Sequence, residues 1–177
     1  MSVAANRYAK ALIDALYPEK STTGLEQLRQ LNALLDEQSQ ARRLFQNPAV
    51  SADKRKSLLK EIGAAAGFSA EISNFLGILI DRNRFDILDE IIATYDKLLD
   101  AKLGIVRAMV TTAHPLDMAQ RDELAAKLAK LIGKQVRMNV SVDPALIGGA
   151  VARVGSTIYD GSLRQQLESF KSRLAGE

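Results

Sequence analysis

The sequence predicts two regions of different class: an all-α six-helix bundle over residues 1–103 and a small α+β domain over residues 104–177. Three observations carry this. Apolar residues recur at the helical period through the first hundred residues. After Gly104 the period changes to two, as in Ile105-Val106-Arg107-Ala108-Met109-Val110-Thr111. Four glycines then crowd into VDPALIGGAVARVGSTIYDGSL, residues Val142 to Leu163, where the chain must turn repeatedly.

The helices follow in order. Ala4, Tyr8, Ala11, Leu12, Ala15 and Leu16 form the first stripe, which Pro18 closes. Leu25, Leu28, Leu31, Leu34 and Leu35 form the second. A short segment from Ala41 to Phe45 stops at Asn47-Pro48, because the residue before proline leaves the α region. Ser51 caps a helix through Leu58, Leu59 and Ile62, with Gly63 and Gly67 bracketing its end. Ser69 caps the next, which carries Ile72, Phe75, Leu76, Leu79 and Ile80, and Glu71 suits its first turn. Asn83 restarts the chain into a long helix through Phe85, Leu88, Ile91, Ile92, Tyr95, Leu98 and Leu99.

Beyond Gly104 the first strand leads to Asp117, a helix cap with Gln120 at the capping-box position. That helix is expected to bury Leu124, Leu128 and Leu131 and to end at Gly133. Val136, Met138, Val140 and Val142 alternate with polar residues as in a half-buried strand. The glycine stretch admits two readings, a phosphate-cradling loop or a set of turns. A Walker-type loop needs Lys and Ser or Thr after the glycines. Gly148-Gly149 is followed instead by Ala150-Val151-Ala152-Arg153-Val154, which alternates like a strand, and no G-x-G-x-x-G occurs. Gly148 and Gly149 therefore read as a turn or bulge, Gly155 as a hairpin turn, and Asp160-Gly161 as a tight exit turn. Ser162 with Gln165 reads as a second capping box, opening a last helix through Leu163, Leu167, Phe170 and Leu174.

Composition starves the chain of catalytic chemistry. There is no cysteine and a single histidine, His114, without the i, i+4 partner of the metal motifs. No metal site or cofactor is expected. No apolar run approaches the roughly 18 residues of a membrane span, and no secretory signal is read at the N-terminus. The net charge of +3 falls entirely after Leu103, with 10 basic against 7 acidic residues there and 14 of each before. This admits an acidic partner, but the scattered basic residues and 5% aromatics argue against a nucleic-acid footprint.

The motifs resemble one family over essentially the full length. ANRYAKAL, NPAVS, NFLGILIDRNRFDILDEI, VRAMVTTAHPLD, GKQV and the glycine stretch are similar to the delta subunits of bacterial ATP synthases. These are relatives of the mitochondrial oligomycin-sensitivity-conferring protein. The final block is the most specific, with its aspartate, glycine pair, V-x-x-G and D-G-S in the family's order.

The resemblance implies a stator that makes no bond. It would join the catalytic head to the b-type stalk at the cytoplasmic face of the bacterial cell membrane. It implies that the first region holds the amphipathic N-terminal helix of a head alpha subunit, between the first and fifth helices. Carried onto this chain, that groove is Tyr8, Ala11, Leu12 and Ala15 facing Phe75, Leu76, Leu79 and Ile80. Helix-in-groove spacing fits, and plain core packing is the competing reading for each residue. Apolar residues on several faces of the fifth helix, Ile78 among them, suit a helix buried on both sides. The second region would meet the C-terminal end of the stalk chain. Lys127, Lys130, Lys134, Arg137, Arg153 and Arg164 are the candidates for that contact. Two rivals stand beside it: a nucleic-acid-binding α+β module, with salt-dependent binding, and an enzyme holding a phosphate ligand on the glycine stretch, with nucleotide-dependent stabilisation.

Overall fold

In the computed structural model, which describes residues 2–174, the chain is of the α+β class, with eight α-helices and one four-stranded sheet. It divides into two compact units between Leu99 and Asp100.

The first unit runs α1 (Val3–Leu16), α2 (Ser21–Glu37), α3 (Ser39–Gln46), α4 (Ala52–Ala66), α5 (Ala70–Asp81), a 3-10 turn (Phe85–Ile87) and α6 (Leu88–Lys102) up to Leu99. All of these contribute to one apolar core, in which Ile13, Leu28, Phe45, Leu76 and Tyr95 are fully buried. Each such side chain contributes about 1.5–3 kcal/mol by leaving water. The Ser2 and Ser69 hydroxyls cap α1 and α5, accepting from Ala5 and Ile72. Phe45 stacks on Phe85 with centroids 4.8 Å apart, tying α3 to the 3-10 turn.

Two polar groups stitch this core. The buried Arg55 donates to the Phe45 carbonyl at 3.2 Å and to Asn83 Oδ1 at 2.9 Å. The Tyr95 hydroxyl donates to the Ser21 carbonyl at 2.9 Å.

Several expectations are corrected here. The buried stripe of α1 is Ala5, Ala9, Leu12, Ile13 and Leu16, so Ala4, Tyr8, Ala11 and Ala15 sit on its outer flank. The two stripes share a helical period, and the larger Ile13 takes the core. Leu34 is exposed, Gly63 lies inside α4, and Ser51 precedes α4 without a side-chain cap bond. Asn83 does not open a helix. It holds a positive φ of 50°, and α6 begins only after the 3-10 turn.

The second unit continues from Asp100 through β1 (Ile105–Thr112), α7 (Met118–Ile132), β2 (Gln135–Val142), β3 (Ala150–Val154), β4 (Thr157–Asp160) and α8 (Leu163–Leu174). The strand order is β2-β1-β3-β4. β1 and β2 are parallel with α7 as their crossover, and Ile105 pairs with Gln135. β3 runs antiparallel to β1, and β3–β4 is a hairpin. Asp117 and Gln120 form the complete capping box of α7. Leu124, Leu128 and Ile132 of α7 pack on Ala108, Val110, Met138 and Ala152. That covers one sheet face. By strand alternation the other carries Arg107, Met109, Arg137 and Arg153.

The last turn of α6, from Asp100, falls in this unit. The Asp100 carboxylate pairs with Arg107 and, at 3.0 Å, with Arg137. Leu131 is 63% exposed, not buried, because α7 turns it away from the sheet. Leu163, Leu167 and Phe170 of α8 are exposed as well, and the side chain of Leu174 lies outside the described residues. At Ser162 only half a capping box forms. Its hydroxyl accepts from Gln165 N at 3.3 Å, but its own N–H donates to Asp160 Oδ1 at 2.9 Å.

Candidate functional site

α1 and α5 bury most of their large apolar residues in the core of the first unit. Of the eight residues assigned to the groove, five lie in the core. Leu12, Leu76, Leu79 and Ile80 are at most 4% exposed, and Phe75 is at 8%. Three are reachable: Tyr8 is half-buried, and Ala11 and Ala15 are exposed. Tyr8 and Phe75 meet edge to face, which makes α1 and α5 neighbours. At the other end Lys20 Nζ lies 2.6 Å from Glu71 Oε1. These two contacts run in opposite chain directions, so the helices pass antiparallel. Their pairing lowers the Glu71 pKa and raises that of Lys20, each through their mutual hydrogen bond. On the α1 side of this contact the solvent-reachable residues are Tyr8, Ala11 and Ala15.

One residue of this surface was not placed in the groove from sequence. Ile78 is 50% exposed, at the outer side of α5. It lines a hollow of about 710 Å³ between α4 and α5, with Leu59, Gly63, Phe68 and Gly77. The signal was present: Ile78 falls off the 72/75/76/79 stripe, so the core has no place for it.

The six basic residues assigned to the stalk are not brought together. Lys127 and Lys130 lie on α7, Lys134 follows it, and Lys127 is held by Glu123 at 2.7 Å. Arg137 and Arg153 lie on the sheet face away from α7, where Arg137 is engaged by Asp100. Arg164 stands at the start of α8.

The turn residues do converge. Gly161 N donates to the Ala150 carbonyl at 2.9 Å, and Leu163 N to the Gly148 carbonyl at 3.0 Å. Gly149 has a φ of 83°, and a Cβ there would stand 2.3 Å from the Gly161 carbonyl oxygen. Glycine is thus required by backbone meeting backbone. Gly148 and Gly149 also line a cavity of about 400 Å³ with His114 and Lys127, but the lysine in it is already neutralised by Glu123. No described helix is long and apolar enough to cross a membrane.

Comparison with known proteins gives a consistent result. The family described as ATP synthase delta (OSCP) subunit matches residues 4–174. The ATP synthase subunit delta of Anaeromyxobacter sp. (strain Fw109-5) is 39% identical over 175 residues, 98% of each chain. That of Geobacter sp. (strain M21) is 38% identical over 172 residues, covering 96% of this chain and 95% of its own. In fold, the chain is similar to one in the Toxoplasma gondii mitochondrial ATP synthase hexamer. There the TM-score is 0.64 at 22% identity, over 100% of this chain and 99% of that one. None of these matches points to nucleic-acid binding. With its described length matched from α1 to the end of α8, the chain belongs to the ATP synthase delta (OSCP) subunit family and is a subunit of the ATP synthase peripheral stalk.

Proposed function

We propose that the chain is a non-catalytic stator link, holding the catalytic head to the b-type stalk against the torque of the rotor. In this reading α1–α6 act as a six-helix bundle that binds the head through the N-terminal helix of an alpha subunit. The α+β unit from Gly104 onward binds the C-terminal end of the stalk chain. The assembly stands at the cytoplasmic face of the bacterial cell membrane.

The observation that carries the head-binding half is the α1–α5 seam. Exposed Ala11 and Ala15 share α1 with the half-buried Tyr8, whose ring meets Phe75 of α5 edge to face. Small exposed residues would let a guest helix approach closely, and the Tyr8 ring would meet its i, i+3, i+4, i+7 apolar face. A torque-bearing joint needs slow dissociation, in the ~nM range or tighter. It needs no poised catalytic group, and cofactors have no part in it.

The test is calorimetric titration of the full chain with a peptide of the cognate alpha-subunit N-terminus. Tight binding with a negative ΔCp is expected. Ala11→Asp, at an exposed position, should abolish it while the circular dichroism spectrum is unchanged. A folded wild-type chain that does not bind the peptide refutes the seam as the head site.

A further inference from the structure

We propose that the head helix held at the α1–α5 seam reaches across Ile78 into the hollow between α4 and α5, and that its backbone comes closest to the bundle at Gly77. Gly77 is then a specificity-determining residue of the head contact. It admits a guest helix that has a small residue at the facing position and an acidic residue beside it. This rests on the head-binding reading above, and adds to it a second wall and the chemistry of the guest.

A glycine inside a helix destabilises it relative to alanine, so its presence needs a reason. Gly24 of α2 has one in packing, since a Cβ there would stand 2.5 Å from Leu16 Cδ1. Gly77 lies in the interior of α5 and has no such reason. A Cβ built on it meets nothing within 4 Å, and its φ is not positive. Nothing in the chain's own packing or backbone requires a glycine at this point. A guest does, because glycine lets a second backbone approach closely.

The space in front of Gly77 is the hollow of about 710 Å³, which it lines with Leu59, Lys60, Phe68 and Ile78. α4 and α5 pass antiparallel there, with Gly63 facing Ser73 toward one end and Lys56 paired with Asp81 at the other. One turn in from that pair on each helix, Lys60 stands level with Gly77. Ile78, 50% exposed, joins the hollow to the seam. It lines the hollow and lies one turn beyond Phe75, whose ring meets Tyr8. The two surfaces are therefore continuous along α5.

Charge narrows the guest. Lys56 at the rim is neutralised by Asp81, whereas Lys60 makes no ion pair among the described residues. A carboxylate on the guest, beside the small residue that faces Gly77, would meet Lys60. A hollow bounded by two antiparallel helices takes the ridge of a third helix, and a flat lipid surface would not enter it. Continuity with the seam through Ile78 makes that third helix the head helix.

The test is titration of the full chain with the peptide of the cognate alpha-subunit N-terminus, alongside thermal unfolding of each variant. Gly77→Ala should raise the unfolding midpoint by about 1–4 °C, because alanine favours the helix, and yet weaken peptide binding by about fivefold. Gly77→Leu should weaken it by more than about 50-fold with an unchanged circular dichroism spectrum, because bulk at a close contact forces the helices apart. Lys60→Glu should weaken it by about fivefold, and less at high salt. A glycine that served the chain's own fold would move stability and binding in the same direction. A lowered midpoint for Gly77→Ala overturns the proposal. So does Gly77→Leu binding like wild type while Ala11→Asp does not bind, and the head reading then stands. If the wild-type chain does not bind the peptide, the head reading fails and the proposal with it. Self-association that Gly77→Leu abolishes while peptide binding persists gives the hollow to a second copy of the chain, and also overturns it.

Discussion

Tyr8 of α1 and Phe75 of α5 meet edge to face, with ring centroids 6.4 Å apart and planes at 73°. Such pairs contribute about 0.5–1.5 kcal/mol beyond the area they bury. Here the pair also divides two environments. Leu12, Leu76 and Leu79 are buried, whereas Ala11 and Ala15 of α1 are exposed. Neighbouring residues on α5 should therefore respond differently to the same substitution.

Ile78 and Leu79 make that comparison. Leu79 is fully buried and Ile78 is half exposed. Leu79→Asp places a carboxylate in the core and should cost more than about 4 kcal/mol, unfolding or loosening the first unit. Ile78→Asp should stay within about 1 kcal/mol of wild type. Urea denaturation followed by circular dichroism separates the two.

Tyr95 predicts an alkaline limit. Burial pushes its hydroxyl from 10.0 up to about 12, so the native state keeps a proton that the unfolded chain releases. The contribution is whole below pH 10 and is lost as pH rises from 10 through 12. It amounts to something on the order of 3 kcal/mol. Tyr95→Phe removes this slope, and at neutral pH it costs about 1–3 kcal/mol because the Ser21 carbonyl loses its donor. Stability curves of both proteins against pH should converge above pH 11.

Gly149 and Gly155 both hold positive φ, at 83° and 60°. A Cβ at Gly155 meets nothing within 4 Å, whereas at Gly149 it strikes the Gly161 carbonyl oxygen. Gly155→Ala should therefore cost about 1–2 kcal/mol, the strain of the left-handed backbone alone. Gly149→Ala should exceed about 3 kcal/mol, because two backbone segments must also part. Thermal unfolding of the two variants tests the order.

Asp100 separates two like charges. Arg107 and Arg137 are directly paired across β1 and β2, and the Asp100 carboxylate, 5% exposed, engages both. Asp100→Asn leaves the arginines facing each other and should destabilise the second unit by about 2 kcal/mol, less at high salt because both are partly exposed. Arg137→Ala in that background should recover part of the loss, measurable as a double-mutant cycle.

Much of this architecture was legible in the sequence, for identifiable reasons. Helix positions followed from stripes and from caps such as Ser69 and Asp117, which act locally. The sheet followed from strict alternation at Val136, Met138 and Val140. What stayed hidden depends on neighbours distant in the chain. The phase of α1 was misread because alanines line both candidate stripes, and only the packing of Ile13 decides between them. Arg55 sits in a run, Asp53-Lys54-Arg55-Lys56, that looks like solvated surface, yet it is buried because Asn83 and the Phe45 carbonyl wait for it. The exposure of Leu167 and Phe170 was not legible, because an apolar stripe does not say which chain will cover it. The same limit bears on the residues proposed for the groove: periodicity finds an apolar position but not the side of the helix that stays open.

The central claim is that this chain mechanically joins head to stalk. Its most direct test is ATP-driven proton pumping by membranes from cells lacking the chain, reconstituted with isolated catalytic head and purified protein. The account predicts that pumping returns only when the chain is added, and that Ala11→Asp fails to restore it. Pumping that returns without the chain, or equally well with Ala11→Asp, would contradict it.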